Sequence, residues 1–220
     1  MAELLLVRHA QASFGADDYD RLSELGWRQA RWLGEHFAAQ GMKFDRVLRG
    51  SLRRHAETLA GIGEGLGQVL EADENSALDE YQSETLYAAH TGTKPSRQGV
   101  DRREHFRVLR EALYAWTEER LDLDPKLLFA AFRERVLGAL GTICAGSARR
   151  VLVISSGGPI STILAEVLRM PARGVVDLNL RSRNTGLSEF HFNQRGIHCL
   201  SFNAVPHLER PDRSGAISYA

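Results

Sequence analysis

The sequence predicts a three-layer α/β/α fold with a mixed central sheet, and three observations predict it. Leu4-Leu5-Leu6-Val7 is an apolar run with no polar alternation, ended abruptly by Arg8 and His9, as expected of a parallel strand buried on both faces. Arg150-Val151-Leu152-Val153-Ile154-Ser155 is a second strong strand, and segments of helical period lie between the two. Thr185 to Phe192 and Gly196 to Phe202 alternate enough to form a hairpin around Asn193-Gln194-Arg195-Gly196, which adds antiparallel strands to the sheet.

In chain order, residues 11–22 are a polar loop. Ser23 is placed to cap a helix, with Glu24 in its first turn and Leu25, Ala30, Leu33 and Phe37 at helical spacing, and Gly41 ends it. Phe44 to Leu48 is a second strand. Ser51 caps a helix over about 52–65, weakened towards its end by glycines at 61, 63, 65 and 67. Val69 to Ala72 is a short strand. Residues 73–126 break the alternation: Glu80, Tyr81, Tyr87 and His90 precede a turn-rich stretch at 91–99 and a helix over about 101–120. One long helix cannot bury a core alone, so the segment is an inserted lobe within a single domain spanning 1–220. Asp124-Pro125 starts the next helix, which runs to about Cys144. After Ser156-Gly157-Gly158, Pro159 suits a first helical turn, and that helix continues to about Met170. The tail beyond Pro206 is polar and expected at the surface.

Composition removes some function classes. The chain has 220 residues, 43% hydrophobic, enough for one full core. Basic and acidic residues balance at 28 each, so no net field favours nucleic acid or an anionic membrane. Lysine occurs only at 43, 94 and 126, so an isolated arginine means little and only position relative to a motif counts. Cys144 and Cys199 form neither a metal-ligand spacing nor a disulfide framework and read as buried free thiols. The first apolar run is too short for a signal peptide or a membrane span, which makes a reducing cytoplasmic location the expectation.

Ligands of open α/β sheets collect beyond the carboxyl ends of the strands. Three such ends carry chemistry: Arg8-His9, Gly50 to Arg54, and Ser155 to Pro159. Glycines at a helix start let backbone N–H groups approach an anion, and the helix dipole adds positive charge. Two guanidiniums, a helix N-terminus and an imidazole together describe a phosphate site.

These residues fall into an ordered set of motifs: Leu6-Val7-Arg8-His9-Ala10; Leu22-Ser23-Glu24-Leu25-Gly26 with Gln29-Ala30; Arg54 with Thr58; Leu78-Asp79-Glu80; Ile154-Ser155-Ser156-Gly157-Gly158-Pro159-Ile160; and Pro206-His207-Leu208. The set resembles the histidine phosphatase superfamily, which includes phosphoglycerate mutases and broad-specificity phosphomonoesterases. The resemblance implies a phosphoglycerate mutase-like fold and phosphoryl transfer through a phosphohistidine. His9 would be the nucleophile and Glu80 the proton donor, with Arg8, Arg54, Ser156 and Gly157 binding phosphate; neither metal nor cofactor is implied. Glu84 is the alternative acid, and Arg53 the alternative guanidinium. The implied partner is a small phosphorylated substrate, with neither nucleic acid nor membrane; a homodimer is left open.

Three departures stand out. Ala10 replaces the family's glycine, which matters only if its φ is positive. Gly50 stands where serine is common. Ser156 occupies the place of the family's second histidine, a charged donor whose loss typically costs a factor of about 10²–10³ in rate. On this ground Ser156→His is expected to raise turnover, unless another group already fills the space. Of the remaining histidines, His36, His55, His90 and His105 are expected to be structural, His55 because it follows Arg54 onto a different helix face. His207 is the best outside substitute. The expected activity is that of a phosphomonoesterase. The rivals are a mutase, for which Lys94, Arg97, Arg102 and Arg103 make a sparse basic lobe, and a non-catalytic phospholigand binder, against which retention of His9 and Glu80 argues.

Overall fold

A computed structural model describes residues 1–13, 20–94 and 102–219. Six strands form one sheet: β1 (Ala2–Arg8), β2 (Arg46–Arg49), β3 (Asp73–Glu74), β4 (Arg150–Ser155), β5 (Leu187–Asn193) and β6 (Gly196–Ala204), in the order β3-β2-β4-β1-β5-β6. β3, β2, β4 and β1 are mutually parallel, while β5 and β6 run antiparallel, so the sheet is mixed. β1 lies between β4 and β5, with Arg8 level with Ser155.

The apolar runs are continuous because each strand feeds two cores. Leu4 and Leu6 of β1, with Val151 and Val153 of β4, face α5 (Phe129–Cys144) and α6 (Gly157–Val167). Leu5, Val7, Leu152 and Ile154 face α1 (Glu24–Ala39) and α2 (Arg53–Leu66). Leu78, Leu86, Leu113 and Trp116, from the segment read as a lobe, belong to the first of these cores.

Local signals decide several boundaries. Ser23 caps α1 by accepting from the Gly26 N–H at 3.0 Å, and Gly41 follows the helix at φ 60°. α2 runs on to Leu66 despite its glycines. Glycine lets the backbones of α1 and α2 touch: a Cβ on Gly65 of α2 would lie 2.0 Å from the Arg31 carbonyl oxygen, and one on Gly34 of α1 would lie 2.1 Å from that of Ile62. Gly65→Ala tests this contact. Helix propensity favours alanine by about 1 kcal/mol. Overpacking against backbone that cannot swing aside costs about 1–3 kcal/mol or more. A net loss of stability is expected in urea titration, and an unchanged or raised midpoint would show that α1 and α2 separate easily.

Elsewhere the sequence misleads. Residues 69–72 are not a strand; pairing with β2 begins only at Asp73, and Val69 is exposed. Ser51 does not cap α2, whose cap position is Leu52; its hydroxyl and N–H bind the Asp79 carboxylate instead. Asp124-Pro125 opens only a 3-10 turn, and α5 starts at Phe129. α4 (Arg102–Thr117) and α6 stop three residues short of the expected ends. Two short helices were not foreseen, α3 (Ser83–Thr91) and α7 (Arg173–Asn179). Part of the turn-rich 91–99 stretch, with Arg97, lies outside the described residues. The tail is packed: Val205, Leu208 and Ala216 are buried against Leu25 and Trp32, and Gln29 donates to the Ala216 carbonyl and the Ser218 hydroxyl. Cys144 and Cys199 are free and only partly buried. Among the described residues no helix is long and apolar enough to cross a membrane.

Candidate active site

The carboxyl end of β1 is fixed by hydrogen bonds from backbone and side chains together. The His9 N–H donates to the Ser155 carbonyl at 2.9 Å, Thr185 N–H donates to the Arg8 carbonyl at 3.1 Å, and Asn184 Nδ2 donates to the His9 carbonyl at 3.2 Å. Ala10 N–H donates to Thr58 Oγ1, which in turn donates to the Arg54 carbonyl, so the strand end and the first turn of α2 share one hydroxyl. Ala10 is not among the positive-φ residues, so glycine's freedom is not needed there.

His9 is buried, and its Nδ1 lies 2.8 Å from the Ala10 carbonyl oxygen. A carbonyl only accepts, so Nδ1 carries the proton and the lone pair sits on Nε2, on the opposite side of the ring. Burial, then the charges of Arg54 and Arg8, hold this imidazole well below the usual histidine pKa and therefore neutral. Arg8 is buried and donates to the Ser182 carbonyl. Arg54, also buried, pairs with Asp20 at 2.5 Å, and Asp20 accepts from the Arg53 N–H as well.

Glu80 reaches this cluster from the 3-10 turn at Ser76–Leu78. Ser155 Oγ donates to the Leu78 carbonyl, and Arg135 of α5 donates to the carbonyls of Ser76 and Asp79, so the segment is held from two sides. The Glu80 carboxylate accepts from the Gly158 N–H at 3.1 Å and the Tyr81 N–H at 3.3 Å. A Cβ on Gly158 would lie 2.1 Å from Glu80 Oε1, so only glycine permits this approach. Burial raises the Glu80 pKa above the ordinary carboxylate value, against the opposing pull of Arg54, the Gly158 N–H and Arg8.

β4 ends at Ser155 and α6 begins at Gly157, leaving Ser156 at the cap position, fully buried. Ser156 Oγ makes no capping bond and instead meets His55 Nε2 at 2.8 Å. Gly157 abuts Asn179, whose Oδ1 lies 2.1 Å from where a Cβ would be, and Asn179 Nδ2 donates to the Tyr81 hydroxyl.

The charges of Arg8 and Arg54 thus act on both His9 and Glu80, and Ser156 and Gly157 join them through Glu80's partner Gly158 and through His55, whose ring centroid is 5.8 Å from that of His9. The alternative side chains are more exposed. Arg53 is half-exposed and pairs with Glu57, and Glu84 is exposed. His90 lies 4.0 Å from Glu111, and His105 stacks on Tyr87. His207 is buried, and its Nε2 bonds Thr185 Oγ1 at 2.8 Å. Sequence reasoning missed His55, set aside for its different helix face, together with Asp20, Arg135 and Asn179. The available signal for His55 was the coincidence of a missing side chain at Gly50, a missing imidazole at Ser156 and an extra one between them. Among the described residues no group of three or more His, Cys, Asp or Glu is placed to hold a metal ion.

Comparison with known proteins bears on the fold and the family. A 2,3-bisphosphoglycerate-dependent phosphoglycerate mutase from Methylorubrum populi is 37% identical over 84 residues, which are 35% of this chain and 40% of that protein. The fold matches Bacillus stearothermophilus YhfR at a TM-score of 0.73 and 17% identity, covering 95% of this chain and all (100%) of that one. A mutant phosphoserine phosphatase from Entamoeba histolytica, solved with phosphoserine, matches at 0.67 and 19% identity over 94% of this chain and 100% of its own. The profile of the histidine phosphatase superfamily (branch 1) matches residues 4–205. With nearly the whole chain inside that match, this protein belongs to the histidine phosphatase superfamily.

Proposed function

We propose that the chain is a phosphomonoesterase that hydrolyses a small phosphorylated metabolite through a phosphohistidine on His9, without a metal. The observation that carries this reading is the His9–Ala10 hydrogen bond, which leaves a neutral Nε2 as nucleophile beside two buried guanidiniums. In the first step Nε2 attacks phosphorus in line and the phosphorus–oxygen ester bond breaks. Arg8, Arg54, the Gly157 N–H and Ser156 take the charge on the equatorial oxygens. Glu80, whose raised pKa suits a proton donor, protonates the leaving oxygen. In the second step Glu80 takes a proton from water, which attacks the phosphohistidine and releases inorganic phosphate. The phosphoserine bound by the amoebal neighbour supports a small phosphomonoester as substrate class.

Brief mixing with a reactive aryl phosphomonoester is expected to leave acid-labile, base-stable phosphate on His9, and His9→Ala is expected to abolish turnover. Label on Ser156, or full activity in the His9 variant, would overturn the mechanism. A screen over phosphosugars, phosphoamino acids and nucleotides, read as inorganic phosphate, identifies the substrate. Isomer formation in place of phosphate release would make the chain a mutase, and ligand binding without turnover a binder.

A further inference from the structure

Ser156 cannot by itself replace a histidine: its hydroxyl is neutral and short. It is not by itself, however. His55 is fully buried, its Nε2 is 2.8 Å from Ser156 Oγ, and its ring neighbours that of His9. The ring occupies space that any side chain at position 50 would need, since a Cβ on Gly50 would lie 2.2 Å from His55 Nδ1 and 2.6 Å from Cε1. Behind the ring stands Asp79, with Oδ1 3.7 Å from Nδ1. Gly50, His55 and Ser156 are therefore three parts of one arrangement, from the end of β2, the first turn of α2 and the start of α6.

We propose, building on the phosphatase reading, that His55 and Ser156 together take the place of the family's second histidine. In this pair His55 is a positioning residue: its Nε2–H donates to Ser156 Oγ, and the hydroxyl proton is thereby turned towards the transferring phosphoryl oxygens. Were Nε2 the acceptor, the same hydroxyl proton would point away from the anion. A dianionic phosphoryl group favours the first arrangement, because each donor in the chain then points at negative charge. Asp79 on the far side lies too far from Nδ1 for a hydrogen bond and brings only the charge of a nearby carboxylate to that side of the ring. Without an anion, burial and the charges of Arg54 and Arg49 keep the ring neutral, with a pKa of about 3.

The proposal reverses the simplest expectation for Ser156→His. A second imidazole would be built into the space that His55 fills, so this variant is expected to lose activity.

The test measures binding of orthovanadate, a mimic of the pentacoordinate phosphoryl group, by calorimetry, alongside kcat. Ser156→Ala and His55→Leu are each expected to weaken vanadate binding at least tenfold, and the double variant no further than the worse single one. His55→Gln, whose amide N–H reaches towards the Nε2 position, is expected to keep most of the affinity, which a purely space-filling role would not require. Ser156→His is expected to bind poorly, and His55→Ala added to it should recover at least tenfold. This pair remains informative if His55→Leu fails to fold. Wild-type vanadate affinity in His55→Leu, losses that add in the double variant, or no recovery in Ser156→His/His55→Ala would overturn the pairing. Vanadate binding does not depend on turnover. A wild-type protein that binds vanadate but hydrolyses nothing would defeat the phosphatase reading and leave these comparisons decisive for the pair.

Discussion

Glu80→Gln is expected to lower turnover of an alkyl phosphomonoester, such as a sugar phosphate, by a factor of about 10²–10⁴. It should affect p-nitrophenyl phosphate far less. The contrast follows from the leaving group: an alkoxide needs a proton as the ester bond breaks, whereas a nitrophenolate departs without one. Glutamine is a clean probe here, because its amide oxygen can still accept from the Gly158 and Tyr81 N–H groups that hold the carboxylate. The change therefore removes the proton and little else. Parallel kcat measurements on the two substrates decide the matter, and equal losses on both would assign Glu80 to positioning or to water activation.

A loss of several kcal/mol of stability is expected between pH 7 and pH 4. His55 and His207 are buried, and burial holds both at a pKa of about 3, with nearby positive charge from Arg54 and Arg49 acting on the first, and from His36 and Arg213 on the second. In the unfolded chain each titrates near the ordinary histidine value of about 6.5. Between these values the unfolded state binds more protons, so each histidine removes up to about 1.4 kcal/mol of stability per pH unit as pH falls. His9, also lowered, acts in the same direction. Glu80 acts in the opposite one: its raised pKa means the folded state takes up its proton first, offsetting part of the loss. Urea midpoints at pH 7, 5.5 and 4.5, for wild type and His207→Gln, provide the measurement. The variant should show a shallower dependence, and a wild-type midpoint that does not move would contradict neutral burial of these rings.

The sheet was legible because burial on both faces leaves no room for polar alternation in β1 and β4, and no other element has that pattern. The cap at Ser23 and the hairpin were legible for similar local reasons. α3 was not: nine residues from Ser83 to Thr91 give little over two helical turns, of which only Leu86 is buried. β3 was displaced because Val69 and Leu70 have strand propensity, while pairing geometry with β2 begins at Asp73. Of the site, the motif residues were legible because they sit at strand ends and helix starts. His55 was not, because adjacent helix positions normally point about 100° apart. The two side chains do diverge, Arg54 to Asp20 and His55 to Ser156, yet His55 still comes to rest with its ring 5.8 Å from that of His9. The long reach of Arg135 and Asp20 to their partners left no local trace at all.

The packing of Gly50, His55 and Ser156 also constrains how such a sequence can have changed over time. On the proposed pairing the space beside Ser156 takes one imidazole, supplied here from α2 and, in the pattern this chain resembles, from the loop after β4. Exchange between the two deliveries by single substitutions must pass through a chain with both rings or with neither. On that pairing two rings would compete for one space, and a chain with neither would leave the anion short of a donor. The position that would have to change first is 50, since any side chain there closes the α2 route before it is used. On the proposed pairing, emptying position 50 is thus the permissive step, and it would precede the arrival of histidine at position 55.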